Sequence, residues 1–223
     1  MSHKLFLSSV SKFLLGILLT GLLLFLPAGT LAYKNGWLFL GVLFLPMTFL
    51  GLFLMFKNPL LLEKRVKARE SQKEQDLIIK LSGVMFLSGF LTAGLSFRFG
   101  FLLLPAPVSL TAVVLFLLSY LLYGEVLREN TYLSRTIEIQ EGQTVIDTGL
   151  YAIVRHPMYS ITILLFLSIP LILGSLCAFF IFLLYPWIIA ARIRHEEQLL
   201  EDQLPGYKDY QKKVRYRLIP FLW

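Results

Sequence analysis

Apolar runs close to the roughly 20 residues that cross a bilayer recur along this chain, and all but one of its charges lie outside them. The runs are Phe13 to Leu31, Gly36 to Phe56, Leu81 to Phe97, Val108 to Leu127 and a longer one from Ile161 to Ala191. Hydrocarbon offers no partner to a backbone N–H or C=O, so each such run must close its own hydrogen bonds as a helix. Composition agrees: charged residues are 16% of the chain, against about 25% in an average soluble domain. The predicted class is an all-α polytopic membrane protein.

The longest run decides the topology. As one helix, Ile161 to Ala191 would extend about 46 Å, too long for a hydrocarbon core of about 30 Å. Leu173-Gly174-Ser175, near its middle, is a place to reverse the chain. The tail beyond it carries Arg192, Arg194, Lys208, Lys212, Lys213, Arg215 and Arg217, which belong on the cytoplasmic side. The earlier spans, started from inside, leave residue 128 inside, so only a hairpin returns the tail there. The expectation is a helical bundle of about six apolar helices, the last two forming a hairpin, with both termini cytoplasmic. Residues 1–127 make an N-terminal four-helix transmembrane region, and residues 128–223 a second region of connector, hairpin and cytoplasmic tail.

Smaller features fit this plan. The basic start and Thr30-Leu31-Ala32 also match a signal peptide with its cleavage site, but with further spans following, a retained helix is expected. Tyr33-Lys34-Asn35-Gly36 reads as a tight turn, and Pro46 as a kink in the second span. Residues 57–80 form a charged cytoplasmic loop, helical in part. Gly83, Ser88, Gly89 and Gly94 let the third span approach its neighbours closely. Residues 136–140 alternate polar and apolar and could pair with 143–146 as a short β-hairpin, or form an irregular connector. Leu204-Pro205-Gly206 ends the last helix, and Tyr207, Tyr210, Tyr216 and Trp223 suggest an aromatic tail at the interface.

The net charge of +7 does not point to nucleic acid, because the basic residues sit beside spans and no zinc-finger spacing or basic aromatic platform accompanies them. Cys177 is the only cysteine, and His3, His156 and His195 are dispersed, which argues against a disulfide or a dedicated metal site. Inside the apolar runs Glu125 is the only acidic residue. A proton-coupled pump would need buried carboxylates there.

Chemistry concentrates on the cytoplasmic rim. In Gly149-Leu150-Tyr151-Ala152-Ile153-Val154-Arg155-His156-Pro157-Met158-Tyr159, Pro157 suits the first turn of a helix and holds His156 outside it. Such a junction presents N–H groups and a positive helix end to an anion. At the far end of the hairpin, Arg192 and Glu196 share a helix face at i,i+4, while Glu197 lies about 140° round from Arg192. A surface pair explains Arg192 and Glu196 as well as a ligand site does. What favours a site is that the hairpin brings both clusters to one rim.

These passages, with Pro205-Gly206-Tyr207-Lys208-Asp209-Tyr210 and the upstream Arg128-Glu129-Asn130 and Gln140-Glu141-Gly142, resemble the isoprenylcysteine carboxyl methyltransferase family over roughly residues 125–223. Members of that family are integral membrane enzymes that move a methyl group from S-adenosylmethionine to a lipid-linked acceptor. The resemblance implies that Gln143, Thr144, Val145, Ile146, Tyr151, His156, Pro157, Met158, Tyr159 and Glu196 bind S-adenosylmethionine. It also implies that Arg192 faces the carboxylate of a lipid or prenylated acceptor, and that Arg192 and Glu196 are the catalytic pair. Two positions depart from the family pattern: Leu150 stands where proline is usual, and Ser160 where glycine is usual. Two other readings compete. One is a membrane reductase of related architecture using a nicotinamide cofactor, although no phosphate-cradling glycine motif is evident. The other is a non-catalytic membrane protein whose rim charges only set topology.

Overall fold

The computed structural model describes residues 3–57, 73–133 and 139–223. Five helical stretches among them are long and apolar enough to cross a membrane: Phe6–Ala28, Lys34–Lys57, Asp76–Phe99, Ala106–Glu129 and Leu176–Gln203, with a shorter apolar helix at Pro157–Ile172. The chain is an all-α polytopic membrane protein. The α-helices among the described residues are α1 (His3–Ala28), α2 (Lys34–Lys57), α3 (Lys73–Phe99), α4 (Ala106–Glu129), α5 (Pro157–Ile172), α6 (Leu176–Phe182), α7 (Tyr185–Gln203) and α8 (Tyr207–Lys213). Side chains such as Leu14, Leu18, Phe49, Phe56 and Leu121 stand exposed along the outer faces. In a membrane these faces meet lipid, so their exposure carries no hydrophobic penalty.

The hairpin is present. Gly174 takes a positive φ of 73°, and Ser175 caps α6 by accepting from the Ala178 amide at 3.2 Å. Helix α5 descends through the middle of the bundle, packed against α2, α3, α4, α6 and α7. At about 24 Å it is too short to span the core unaided. Its last carbonyls would therefore be orphaned inside the bundle. Neighbouring side chains satisfy them: Ser109 Oγ donates to Leu171 O at 3.0 Å, Asn35 Nδ2 to Ile172 O at 2.9 Å, and Tyr33 OH to Leu173 O at 2.6 Å.

The return limb is not one smooth helix. It breaks at Leu183-Leu184 and restarts with Pro186 in its first turn, the place a helix tolerates proline. It then continues well past Ala191, so Arg192 to Glu197 lie on a helix as the spacing argument required.

Close approach of α3 to its neighbours rests on two of the four small residues. A Cβ on Gly94 would sit 2.6 Å from Leu24 O and 2.7 Å from Pro27 Cγ of α1, and one on Gly89 would collide with the Phe182 ring of α6. Around Gly83 there is open space. One other expectation changes. The turn expected at 33–36 comes earlier, at residues 29–33, because Lys34 to Gly36 form the first turn of α2. Pro46 lies inside α2. Most of the charged segment 57–80 and residues 134–138 lie outside the described residues, and 139–148 form an irregular connector turning at Gly142 (φ 71°).

Candidate functional site

Pro157 opens α5, and His156 before it has φ −125° and ψ 60°, outside the helical region as a residue before proline should be. The two amides just ahead of the helix are already paired. The amides of Arg155 and His156 donate to Tyr216 O and Arg217 O, both at 2.9 Å. The C-terminal tail thus lies along residues 155–156, tied by these two backbone bonds. Ser160 Oγ extends the attachment by donating to Leu218 O at 2.6 Å.

Glu197 holds this arrangement from beneath. Only 2% exposed, its Oε1 accepts from Arg155 Nε at 2.7 Å and lies 3.1 Å from His156 Nε2, and its Oε2 accepts from Arg217 Nε at 2.7 Å. Arg155 Nη1 also donates to Val214 O and Arg215 O at 2.8 and 2.9 Å. A buried carboxylate among two guanidinium groups and an imidazole has the partners that a buried charge requires. Glu197 lies about 140° round α7 from Arg192. That same geometry points it at the helix junction and the tail.

Arg192 and Glu196 are joined through a third residue. Arg192 Nε lies 2.8 Å from the Tyr159 hydroxyl, which donates to Glu196 Oε2 at 2.6 Å. A tyrosine on the first turn of α5 thereby fixes the spacing of two residues on α7.

The connector supplies the opposite wall. Glu129, at the end of α4, accepts from Thr148 Oγ1 at 3.1 Å and from the Leu150 amide at 3.2 Å. A proline at position 150 would lack that amide. Gly149 has φ 49° and passes so close to Glu129 that a side chain would collide with its carboxylate. Asn130 Nδ2 donates to the Tyr151 hydroxyl at 3.0 Å, and Tyr210 OH to Tyr151 O at 2.7 Å. Burial pushes the Tyr151 phenol up to about 12, so it keeps its proton at neutral pH.

Between these walls lies a cleft open to solvent, with about 860 Å³ of empty space when the open part is counted. Gln143, Thr144, Val145, Ile146, Tyr151, His156, Met158, Tyr159, Arg192 and Glu196 all line it. Pro157 does not; it is buried and shapes the helix start. Arg155, in the motif with His156, lines it too, as do Asn130, Tyr132, Leu133, Leu199, Leu200, Leu204, Tyr207 and Tyr210, which were not expected at a site. Leu199, Leu200 and Leu204 follow Glu196 at i+3, i+4 and i+8, a helical-face pattern that would have found them. Tyr207 and Tyr210 were expected in an aromatic tail at the interface. Both are buried, packed with Leu204 and Val214 against Val145 and Leu200.

Residues 109–202 match the model of the Isoprenylcysteine carboxyl methyltransferase (ICMT) family. The resemblance read from the motifs over roughly 125–223 is matched as far as residue 202, and the match also takes in most of α4 ahead of it. The chain is also similar to Delta(14)-sterol reductase TM7SF2 of Mus musculus, 31% identical over 91 residues, which are 40% of this chain and 22% of that protein. The chain therefore spans about a fifth of the length of that relative.

Proposed function

We propose that the chain is an S-adenosylmethionine-dependent methyltransferase of the membrane, acting on a carboxylate or other nucleophile of a lipid-linked acceptor. The observation that carries this reading is the cavity itself, lined by every residue the family motifs single out except Pro157. The lining suits the cofactor. Glu196 offers a carboxylate to an ammonium, and Val145, Met158, Leu199 and Leu200 offer apolar surface.

When bound, S-adenosylmethionine supplies a methyl group already activated by its sulfonium. The protein's part is then to align the two reactants and exclude water. Glu196 binds the ammonium of the cofactor, and Arg192 holds the acceptor's carboxylate. Tyr159, hydrogen-bonded to both, sets the distance between the two subsites. A carboxylate acceptor is ionised at neutral pH, its pKa being about 4, so no residue need remove a proton. The cofactor arrives from the cytoplasmic side, where both termini and the site lie, and the acceptor from lipid.

A second reading, a nicotinamide-dependent membrane reductase, draws on the similarity to the sterol reductase. Calorimetric titration of the purified protein in detergent with S-adenosylmethionine and with reduced nicotinamide dinucleotides separates the two. The expected result is saturable binding of S-adenosylmethionine alone, weakened roughly 10- to 100-fold by Glu196→Ala, the loss of one charge-assisted contact. His156→Ala should weaken it severely too. Binding of the nicotinamide cofactor without S-adenosylmethionine would overturn the methyltransferase reading.

A further inference from the structure

Tyr207 carries a buried hydroxyl with no hydrogen-bond partner among the described residues, on a side chain belonging to a residue only 4% exposed. The comparison within the molecule is sharp. Tyr33 donates to Leu173 O, Tyr159 to Glu196 and Tyr210 to Tyr151 O, while Tyr151 receives the Asn130 amide. Buried hydroxyls are normally paired because desolvating one without a partner destabilises the fold. Tyr207 cannot readily swing out to water. Its ring is fixed among Leu204, Tyr210 and Val214 and packs with Val145 and Leu200.

The position of the orphan is informative. Tyr207 lines the same cavity as Glu196. Leu200, on which it packs, is one helical turn beyond Glu196 on the same face of α7. Burial, reinforced by the carboxylates of Glu197 and Glu196, pushes the phenol's pKa up. It is therefore a protonated donor at neutral pH, set beside an acidic acceptor. A donor and a carboxylate on one wall match the two charges of an α-amino acid.

We infer that the Tyr207 hydroxyl donates a hydrogen bond to the carboxylate at the amino-acid end of the bound cofactor, while Glu196 takes the adjacent ammonium. The inference rests on the methyltransferase reading and adds a positioning residue to it. Orphaned in the ligand-free protein, the hydroxyl gains its partner on binding, so the interaction favours ligands that carry the carboxylate.

The test compares S-adenosylmethionine with its decarboxylated analogue on the full chain in detergent, wild type against Tyr207→Phe, by calorimetric titration. Tyr207→Phe should weaken S-adenosylmethionine roughly 10- to 100-fold, as loss of a hydrogen bond to a charged group does. It should leave the affinity for the decarboxylated analogue within about twofold. Thermal unfolding of ligand-free Tyr207→Phe should be no lower than wild type, since the phenyl ring keeps the packing and sheds an unpaired hydroxyl. Equal losses on both ligands, no loss on either, or a lowered ligand-free melting temperature would each overturn the inference. A wild type that binds neither ligand would instead fail the methyltransferase reading, and this inference with it.

Discussion

Replacing Glu197 with glutamine removes one negative charge from a site holding three basic side chains. The consequence can be worked from their burial. The Arg155 and Glu197 side chains are 7% and 3% exposed, and breaking a buried pair by removing one partner costs about 3–5 kcal/mol. Two features place Glu197→Gln near the lower end. The amide oxygen can still accept one neutral hydrogen bond, and Arg155 keeps its bonds to Val214 O and Arg215 O. The Arg217 contact, with a side chain 35% exposed, adds at most about 1 kcal/mol after solvent screening. A local loss of about 3 kcal/mol raises the opening equilibrium of the tail on the order of 100-fold, at 1.4 kcal/mol per factor of ten.

Hydrogen exchange followed by mass spectrometry reads this directly, because the tail is held by amides that report on it. Arg155 N and His156 N donate to Tyr216 O and Arg217 O, and Arg217 N and Leu218 N to Trp223 O. Peptides covering 153–158 and 214–223 should exchange about 100-fold faster in Glu197→Gln, while the α3 core stays at wild-type rates. Arg217→Ala should accelerate the same peptides by less than about tenfold. Unchanged exchange in Glu197→Gln would refute the reasoning, showing that backbone pairing and packing hold the tail without the buried charge.

Two further outcomes are expected. Arg192→Ala, which removes the proposed acceptor contact and the bond to Tyr159, should impair methyl transfer far more than S-adenosylmethionine affinity, measured as turnover and by titration; equal losses would move Arg192 into the cofactor subsite. Gly94→Ala forces a methyl against Leu24 O and Pro27 and should lower stability by about 1–3 kcal/mol, whereas Gly83→Ala, in open space, should be neutral or stabilising by up to about 1 kcal/mol. Thermal unfolding in detergent measures both, and equal effects at the two positions would refute close packing of α1 on α3.

The departures from the family pattern illustrate where sequence reasoning needed coordinates. Leu150 and Ser160 stood out only as differences. In the structure each makes a bond the usual residue cannot: the Leu150 amide reaches Glu129, and the Ser160 hydroxyl reaches Leu218 O. Proline has no N–H and glycine has no hydroxyl. Both substitutions therefore fasten the walls of the cavity, one to α4 and one to the tail.

Hydropathy and spacing alone determined a great deal. The membrane class followed from backbone groups that hydrocarbon cannot satisfy. The hairpin followed from a run too long for the bilayer and a glycine placed to reverse it. The shared face of Arg192 and Glu196 followed from 3.6 residues per turn. These are local or one-dimensional properties, and they survive translation into three dimensions. Tertiary structure alone decided the partners. Glu197 emerged as the buried anchor because two guanidinium groups and an imidazole from two distant segments converge on it. Tyr159 became the bridge between Arg192 and Glu196 because α5 crosses α7 at that level. Tyr207 left the surface for the cavity wall because α8 folds back onto α7. Such contacts join residues far apart in the chain, and no periodicity within a single segment encodes which of its neighbours will arrive.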